Sequence, residues 1–363
     1  MAGEGPRAGR LCVKNFRAIG EACIGLKPVT LLVGPPVGKT TLLEALALIG
    51  YGVKYVYEVG REYSEPQRVG ALGRFLRIGG CGAAGPAAEA WLEAGGRRVG
   101  VSASCRDGDG LVIEYIEDGE GGPRVRATIV TRLDEAGEAK SRRLASPSGR
   151  GYLAPRLYSY DLLAYDNVAQ GRTGASEPRS YLAEDASNLG TLLASMPWLL
   201  DEINRVAAEL AGAELRVLLD RRVSVFAGYV EVGPGEAATT VLRLAYYYSA
   251  VRALGPQDAI PIVGLDDPEA HMSIGAVEEL ADAITNASER AIFLVATHSP
   301  VLVSRLAGAL GEERLGVVYL TQHREPGGGM ARTEPVEVPA SKVADIGAAM
   351  RLLRGGPGEL KAL

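Results

Sequence analysis

Apolar residues follow two different periods along this chain. Predominantly apolar runs at 29–33, 259–265 and 291–296 have the pattern of strands buried on both faces, and a segment with helical spacing follows each of them. Between residues 95 and 131 the period is two, which indicates antiparallel strands joined by Gly- and Asp-containing turns. The chain is therefore predicted to have an α/β fold with a mainly parallel sheet flanked by helices.

The change of period also divides the chain. We expect a single domain over residues 1–363, with its core formed by 1–60 and 212–363. Residues 61–160 are expected to form an inserted, antiparallel β-rich lobe, and 161–211 a helical segment. An apolar stripe on the helical segment is expected to face the core. Its residues are Trp198, Leu199, Ile203, Val206 and Leu210.

One strand-to-helix junction has the residues of a nucleotide site. Starting at Gly34, the sequence reads Gly-Pro-Pro-Val-Gly-Lys-Thr-Thr and leads from the strand at 29–33 into a predicted helix. Gly-Lys-Thr at a helix start places main-chain N–H groups and the positive helix end where a polyphosphate binds. Lys39 is expected to contact the β- and γ-phosphates of ATP, and Thr40 to bind Mg²⁺. The predicted phosphate-site residues are Gly34, Val37, Gly38, Lys39, Thr40 and Thr41.

This loop departs from the usual phosphate-binding pattern. Three residues rather than four separate Gly34 from Gly38, and Pro35 and Pro36 have no N–H group to donate. A plain strand–turn–helix unit, in which Gly-Lys-Thr occurs by chance, is the alternative interpretation of this stretch.

Two further polar clusters follow predicted strands. Asp266 and Asp267 begin an Asp-Asp-Pro-Glu sequence, and His298 belongs to a Thr-His-Ser-Pro sequence. Ligands of parallel sheets bind at the carboxyl ends of the strands. We expect Asp266 to hold Mg²⁺, Asp267 to polarise the attacking water, and His298 to contact the γ-phosphate. As alternatives, the aspartates serve a turn and a helix cap, and the histidine is a hydrogen-bonded residue at a strand end.

Composition limits the other function classes. The net charge of −5 argues against extensive coating of nucleic acid. No run of eighteen apolar residues and no secretory signal occurs, so we expect no membrane span and a cytoplasmic location. Cys12, Cys23, Cys81 and Cys105 lack metal-ligand spacing. Cys12 and Cys23 could pair across a hairpin, but two buried free thiols are the expected state.

A polar, basic segment spans residues 137–156 and is expected to be a surface loop. Its Arg142, Arg143 and Arg150 offer a contact for DNA or for an unidentified protein partner. A solvated loop without a binding role is the other interpretation.

In their order along the chain, these motifs resemble those of the head ATPases of the ABC superclass, in the SMC-, RecF- and OLD-like branch whose members are often called AAA domains. Asn15-Phe16-Arg17 and Asn188-Leu189 extend the resemblance. It implies a P-loop NTPase fold, ATP and Mg²⁺ as cofactors, and a homodimer that encloses two ATP molecules. The residues it implies for the signature loop, which reaches the partner's nucleotide, are Gly233, Gly235 and Glu236.

The chain also departs from this family's pattern. Gly233 replaces the usual signature serine, Asp267 replaces the usual glutamate, and Gln67 and Gln170 are only weak matches to the Q-loop glutamine. We therefore expect a slow ATPase in DNA maintenance, repair or defence, with a degenerate nucleotide-sensing module as the alternative. The β-rich insertion and the missing Q-loop disfavour a transporter subunit. The absence of an acidic metal cluster after His298 disfavours an OLD-type nuclease.

Overall fold

The fold was analysed in a computed structural model, which describes residues 9–16, 19–35, 38–53, 88–106, 110–119, 122–131, 139–143, 152–160, 164, 167–168, 180–232, 238–256, 259–323 and 332–358. The strands within these ranges are β1 (Gly9–Phe16), β2 (Ile19–Leu26), β3 (Val29–Val33), β4 (Ala88–Ala94), β5 (Arg97–Arg106), β6 (Gly110–Gly119), β7 (Gly122–Thr131), β8 (Ala139–Arg143), β9 (Tyr152–Ser159), β10 (Glu214–Val217), β11 (Val223–Ala227), β12 (Val230–Val232), β13 (Ala259–Asp266), β14 (Ile292–Ala296), β15 (Leu315–His323) and β16 (Arg332–Val338). The helices are α1 (Lys39–Val53), α2 (Leu189–Ser195), α3 (Pro197–Ala211), α4 (Ala238–Arg252), α5 (Ile274–Ala287), α6 (Pro300–Arg314) and α7 (Ile346–Gly355), with a 3-10 turn at Ala340–Val343.

A six-stranded sheet of order β16-β15-β3-β14-β13-β9 forms the centre of the fold. Five of these strands are parallel, and only β16 at one edge runs antiparallel to its neighbour. Every residue of β3 and β14 is buried, because both faces of the sheet are covered. The prediction of a P-loop type α/β fold with a mainly parallel sheet flanked by helices is confirmed.

Helix α1 lies between this central sheet and a second, antiparallel one. The second sheet has seven strands in the order β2-β1-β4-β5-β6-β7-β8. Leu42, Leu46 and Ile49 of α1 share one apolar cluster with side chains of both sheets, such as Leu92 of β4 and Leu294 of β14. Since α1 is enclosed on two sides, its first residue, Lys39, has a defined place relative to the sheet edge.

The opposite face of the central sheet packs against helices α4 to α7. These helices and the face of the sheet beneath them form a second apolar cluster. Leu32 of β3 belongs to the cluster on the α1 side, whereas its neighbour Leu31 belongs to this second cluster. Leu280 of α5 and Leu306 of α6 are fully buried in the same cluster. A small sheet of order β10-β11-β12 lies beside α3 and α4. The central sheet is thus covered by helices on one face and by α1 on the other.

Where the structure describes the segment 137–156, at 139–143 and 152–156, it is strand rather than the surface loop that the sequence predicted. It contains β8, which pairs with β7, and the first half of β9, which pairs in parallel with β13. Arg142 and Arg143 lie on β8 with side chains outside the described set, and Arg150 falls outside the described residues. The high content of basic and small residues concealed the strand pattern.

Arg156 in particular is buried, with only 2% of its surface exposed. Its Nη1 donates to the main-chain oxygen of Leu254 at 3.1 Å, and its guanidinium lies 3.7 Å from the ring centre of Tyr181. Arg156 stands on β9 in the central sheet, although the sequence-based boundary at residue 160 assigns β9 to the inserted lobe. Partners supplied by distant parts of the chain permit a cation at this buried position.

Cys12 and Cys23 form a disulfide, so the expectation of two buried free thiols was wrong. The antiparallel register of β1 and β2 places the two residues directly opposite each other. Their side chains are also not buried, since Cys23 lies on an exposed position of β2. Cys81 lies outside the described residues, as does the side chain of Cys105.

The apolar stripe of the helical segment is largely as predicted. Leu199, Ile203 and Val206 are fully buried on α3, and Leu210 packs against the same cluster. Trp198 is the exception: half of its surface is exposed. It lies in the first turn of α3, beyond the edge of the core, where the guanidinium of Arg252 is 5.8 Å from its ring centre.

None of the helices in the described ranges combines the length and the apolar character needed to cross a membrane.

The contact between α1 and β9 leads to a stability prediction. A Cβ atom added at Gly50 of α1 would lie 2.2 Å from the main-chain oxygen of Pro155, whereas one added at Gly308 of α6 would meet open space. Gly50→Ala should therefore lower the free energy of unfolding by about 1–3 kcal/mol through overpacking. Gly308→Ala, the same change on an exposed helix face, should raise it by about 0.5–1 kcal/mol. Urea unfolding of both variants measures the difference; equal midpoints would contradict the close packing of α1 on β9.

Candidate nucleotide site

The loop between β3 and α1 requires glycine at both of its ends. Gly34 has φ +110° and Gly38 has φ +89°, values at which a side chain is strained. At Gly34 a Cβ would also approach the main-chain oxygen of Leu320 to 2.9 Å. The main-chain oxygen of Gly38 accepts from Leu42 N at 2.9 Å, which starts α1. Val37 lies outside the described residues.

Lys39 is buried inside this loop, with 4% of its surface exposed. Its Nζ donates to the main-chain oxygens of Gly34 and Pro35 at 2.8 and 2.9 Å. Burial lowers the pKa of the Lys39 ammonium, and the carboxylates of Asp267, Asp266 and Glu269 act in the opposite direction. A phosphate bound here would add negative charge beside Lys39 and stabilise its protonated form.

Thr40 and Asp266 meet at the same edge of the sheet. The Thr40 hydroxyl donates to Asp266 Oδ1 at 3.3 Å. In the part of the chain that is described, no group of three or more His, Cys, Asp or Glu side chains could hold a metal ion by itself. Mg²⁺ does not need such a cage, because it retains water and binds phosphate oxygens beside one or two protein oxygens. These two residues therefore fit a Mg²⁺ ion that arrives with a nucleotide.

Thr41 is buried on α1 next to Lys39. The signature residues Gly233, Gly235 and Glu236, and the two Q-loop candidates Gln67 and Gln170, lie outside the described residues. The structure therefore places the predicted site residues that lie at or after the ends of β3, β13 and β14, with the exception of Val37.

The strand order explains why the remaining motifs converge. β3, β14 and β13 are adjacent and parallel, so Lys39, His298 and Asp266 follow neighbouring carboxyl ends. His298 is exposed, and partial desolvation together with the Lys39 charge lowers its pKa, while Asp267 acts to raise it. The three charged or polar motifs are thus close enough to influence one another electrostatically.

Asp267 has an unusual backbone conformation for a residue other than glycine, with φ +41°. Its N–H donates to Ala296 O at 3.0 Å, and its carbonyl oxygen accepts from Ala270 N at 3.1 Å. Its Oδ1 is buried without a hydrogen-bond partner among the described residues. Strained backbone and an unsatisfied buried carboxylate oxygen are features of functional sites. Neither aspartate caps the following helix, because the cap of α5 is Ser273, whose hydroxyl accepts from Ala276 N.

Two residues of α4 that the sequence reasoning missed hold this strained turn. The Tyr247 hydroxyl donates to the main-chain oxygen of Asp266 at 2.8 Å, and Arg243 Nη2 donates to that of Asp267 at 3.2 Å. Both side chains are buried, and burial raises the pKa of the Tyr247 phenol. Their spacing of four residues puts them on one face of α4. An arginine and a tyrosine four residues apart in an otherwise largely apolar helix were the sequence feature that could have identified them.

Glu269, the last residue of Asp-Asp-Pro-Glu, was also missed. Its Oε1 accepts from Thr297 Oγ1 at 2.8 Å and from His298 N at 2.7 Å. Desolvation raises the pKa of Glu269, although these hydrogen bonds act to lower it. A cavity of about 430 Å³ opens beside Asp267, Glu269 and His298. The side of the candidate site that contains these three residues is therefore accessible from solvent.

Comparison with known proteins gives one family match. Residues 228–304 match the family described as "AAA domain, putative AbiEii toxin, Type IV TA system". This segment contains α4, the Asp-Asp-Pro-Glu sequence and the Thr-His-Ser-Pro sequence. No curated protein matches the chain.

Solved structures that resemble the chain include SMC head domains. The SMC head domain from Thermotoga maritima is 16% identical, with 92% of this chain and 100% of that chain covered and a TM-score of 0.41. An SmcHead bound to the C-winged helix domain of ScpA is 14% identical, with 93% and 99% covered and a TM-score of 0.47. An Smc head domain with an extended coiled coil, bound to the C-terminal domain of ScpA derived from Pyrococcus furiosus, is 14% identical, with 95% and 100% covered and a TM-score of 0.44. Similarities this weak assign neither an activity nor a partner.

The family match covers the residues that follow β13 and β14, and the structure sets them beside Lys39 and Thr40 on a P-loop type sheet. The resemblance to an AAA-type domain, predicted from the sequence, is therefore confirmed over residues 228–304.

Proposed function

We propose that this chain binds Mg-ATP at the edge of the central sheet and hydrolyses it slowly. The observation that carries the proposal is the approach of the Thr40 hydroxyl to Asp266, beside an ammonium enclosed by a glycine-bounded loop. Lys39 would contact the β- and γ-phosphates, and main-chain N–H groups at the start of α1 would donate to phosphate oxygens. Mg²⁺, when bound through Thr40 and Asp266, would neutralise charge on the phosphates.

In this reaction Asp267 and His298 act on the γ-phosphoryl group. A water molecule attacks the γ-phosphorus and gives a proton to the Asp267 carboxylate, and the bond from the γ-phosphorus to the bridging oxygen breaks to release ADP. Asp267 lines the cavity of about 430 Å³, from which such a water can reach its carboxylate. His298 would donate to a γ-phosphate oxygen. Asp267 is one methylene shorter than glutamate, which accounts for the slow rate because a shift of about 1 Å can cost on the order of 100-fold.

The same shortening favours a second candidate, a nucleotide-sensing module that binds ATP without useful turnover. Pro35 in the phosphate loop and Asp267 in place of glutamate support this candidate. Binding would still depend on Lys39 and Thr40, since neither residue is altered.

We further propose that ATP binding joins two copies of the chain. The signature position at 233–236 directly precedes α4, whose N-terminus suits the phosphates of a nucleotide held by the partner. A role in DNA maintenance, repair or defence, and a cytoplasmic location, rest on family analogy alone.

Single-turnover hydrolysis, measured with and without DNA and together with molecular mass, separates these candidates. A slow ATPase releases inorganic phosphate and changes mass with its nucleotide state. A sensing module binds ATP and changes mass without releasing phosphate.

Removal of the Lys39 ammonium should weaken ATP binding. Loss of a charged hydrogen-bond donor to phosphate in Lys39→Ala is expected to raise the dissociation constant on the order of 100-fold. Lys342→Ala, at an exposed position shortly after Val338 of β16, removes a lysine at the opposite end of the central sheet and should leave the affinity unchanged. Calorimetric titration with Mg-ATP provides the measurement, and equal affinities of the two variants would show that the loop is not the phosphate site.

Replacement of Asp267 should separate hydrolysis from binding. Asp267→Asn keeps a residue that tolerates a positive φ but removes the base, so hydrolysis should fall about 100- to 10,000-fold while ATP remains bound and two copies stay associated. Asp267→Glu restores the longer side chain and should preserve or increase turnover. Phosphate release under single-turnover conditions tests both variants. Unchanged hydrolysis in Asp267→Asn would remove Asp267 from the role of base.

A further inference from the structure

Glu269 occupies a position that neither phosphate binding nor Mg²⁺ binding requires. It belongs to the turn after β13, yet its Oε1 accepts two hydrogen bonds from the residues that follow β14. One donor is the Thr297 hydroxyl at 2.8 Å, and the other is the main-chain N–H of His298 at 2.7 Å. This single carboxylate therefore joins the two strand ends that carry the proposed catalytic residues.

The connection continues into helix α6. Thr297 Oγ1, which donates to Glu269, accepts from Ser299 N at 3.0 Å. Ser299 in turn caps α6, because its hydroxyl accepts from Leu302 N at 3.2 Å. The main chain on both sides of His298 is thus held by a continuous series of hydrogen bonds that starts at Glu269.

The position of the His298 imidazole depends on these hydrogen bonds to the main chain. The ring is exposed, and no hydrogen bond to it is seen from the described residues. The charged groups that act on it are the Lys39 ammonium and the Asp267 carboxylate, from the starts of α1 and of the turn after β13. If the main chain at 297–299 moved, the distances from the ring to these two groups would change.

We propose that Glu269 is a positioning residue, whose carboxylate fixes the main chain at His298 and thereby sets the imidazole relative to Asp267 and the γ-phosphate. Its effect on turnover rests on the proposed ATPase function, whereas its effect on the imidazole does not. The role requires an acceptor oxygen at Oε1 and does not require Glu269 to accept a proton from water. A glutamine can supply such an oxygen, and an alanine cannot.

The first test follows the imidazole directly. The chain has three histidines, so 13C labelling at Cε1 gives one signal each for His271, His298 and His323. In Glu269→Ala the His298 ring should become more hydrated and its pKa should rise toward the ordinary value for histidine. Glu269→Gln should keep the lowered pKa of the parent protein, and His323 on β15 serves as the internal reference. An unchanged His298 titration in Glu269→Ala would overturn the proposal.

The second test follows turnover. Misplacement of His298 in Glu269→Ala should lower kcat about 10- to 100-fold, with KM for ATP changed by less than about threefold. Glu269→Gln should restore most of kcat, and Glu278→Ala, at an exposed position of α5, is the matched control. If Glu269→Ala does not fold, Thr297→Val can be used instead, because it removes one of the two donors at similar side-chain volume. It should lower kcat by a smaller factor.

Two kinetic results would overturn the proposal. Equal loss of kcat in Glu269→Gln and Glu269→Ala would make Glu269 a base rather than a positioning residue. A parallel loss of ATP affinity and thermal stability, with the His298 signal unmoved, would give it a purely structural role. If the parent protein binds ATP but releases no phosphate, the proposed hydrolysis fails, and the His298 titration still decides the role of Glu269.

Discussion

The electrostatic attraction between one buried ammonium and three carboxylates of a neighbouring turn is the interaction on which the site depends. Lys39 lies within electrostatic reach of Asp266, Asp267 and Glu269, all of which belong to one short turn. The carboxylates repel one another and would repel a bare triphosphate. A nucleotide that brings a divalent cation would relieve both repulsions, because the positive charge of the cation would offset the charges of the phosphates and of the acidic turn. The charge arrangement therefore explains why nucleotide and Mg²⁺ are expected to bind together.

The rest of the fold keeps these charges in place. Helix α1 is enclosed between two sheets, and its contact with β9 at Gly50 leaves no room for a methyl group. On the opposite side, Arg243 and Tyr247 of α4 donate to the main-chain oxygens of the acidic turn. Helix α4 follows the signature position in the sequence. The same helix would therefore take part in the proposed contact with a partner's nucleotide and in the positioning of Asp267. If two copies associate as proposed, this helix would connect the contact between them to the turn at Asp266 and Asp267.

Sequence reasoning reached β3, β13 and β14 of the central sheet because these strands are short apolar runs, each followed by a polar motif. It did not reach β8 and β9, since basic and small residues in 137–156 hide their period. Arg156 shows the reason: its buried charge is stabilised by Leu254 and Tyr181, which only the folded chain brings to it. The same applies to Glu269 and Arg243, whose roles depend on hydrogen bonds between elements distant in sequence.

We propose that a triphosphate with Mg²⁺ binds where Lys39, Thr40, Asp266 and His298 converge. A crystal structure with Mg²⁺ and a non-hydrolysable ATP analogue tests it most directly. We expect the β- and γ-phosphates at Lys39 Nζ, the cation bound by Thr40 Oγ1 and next to Asp266, and His298 facing the γ-phosphate. A nucleotide bound elsewhere, or a phosphate loop that excludes the analogue at saturating concentration, would contradict it.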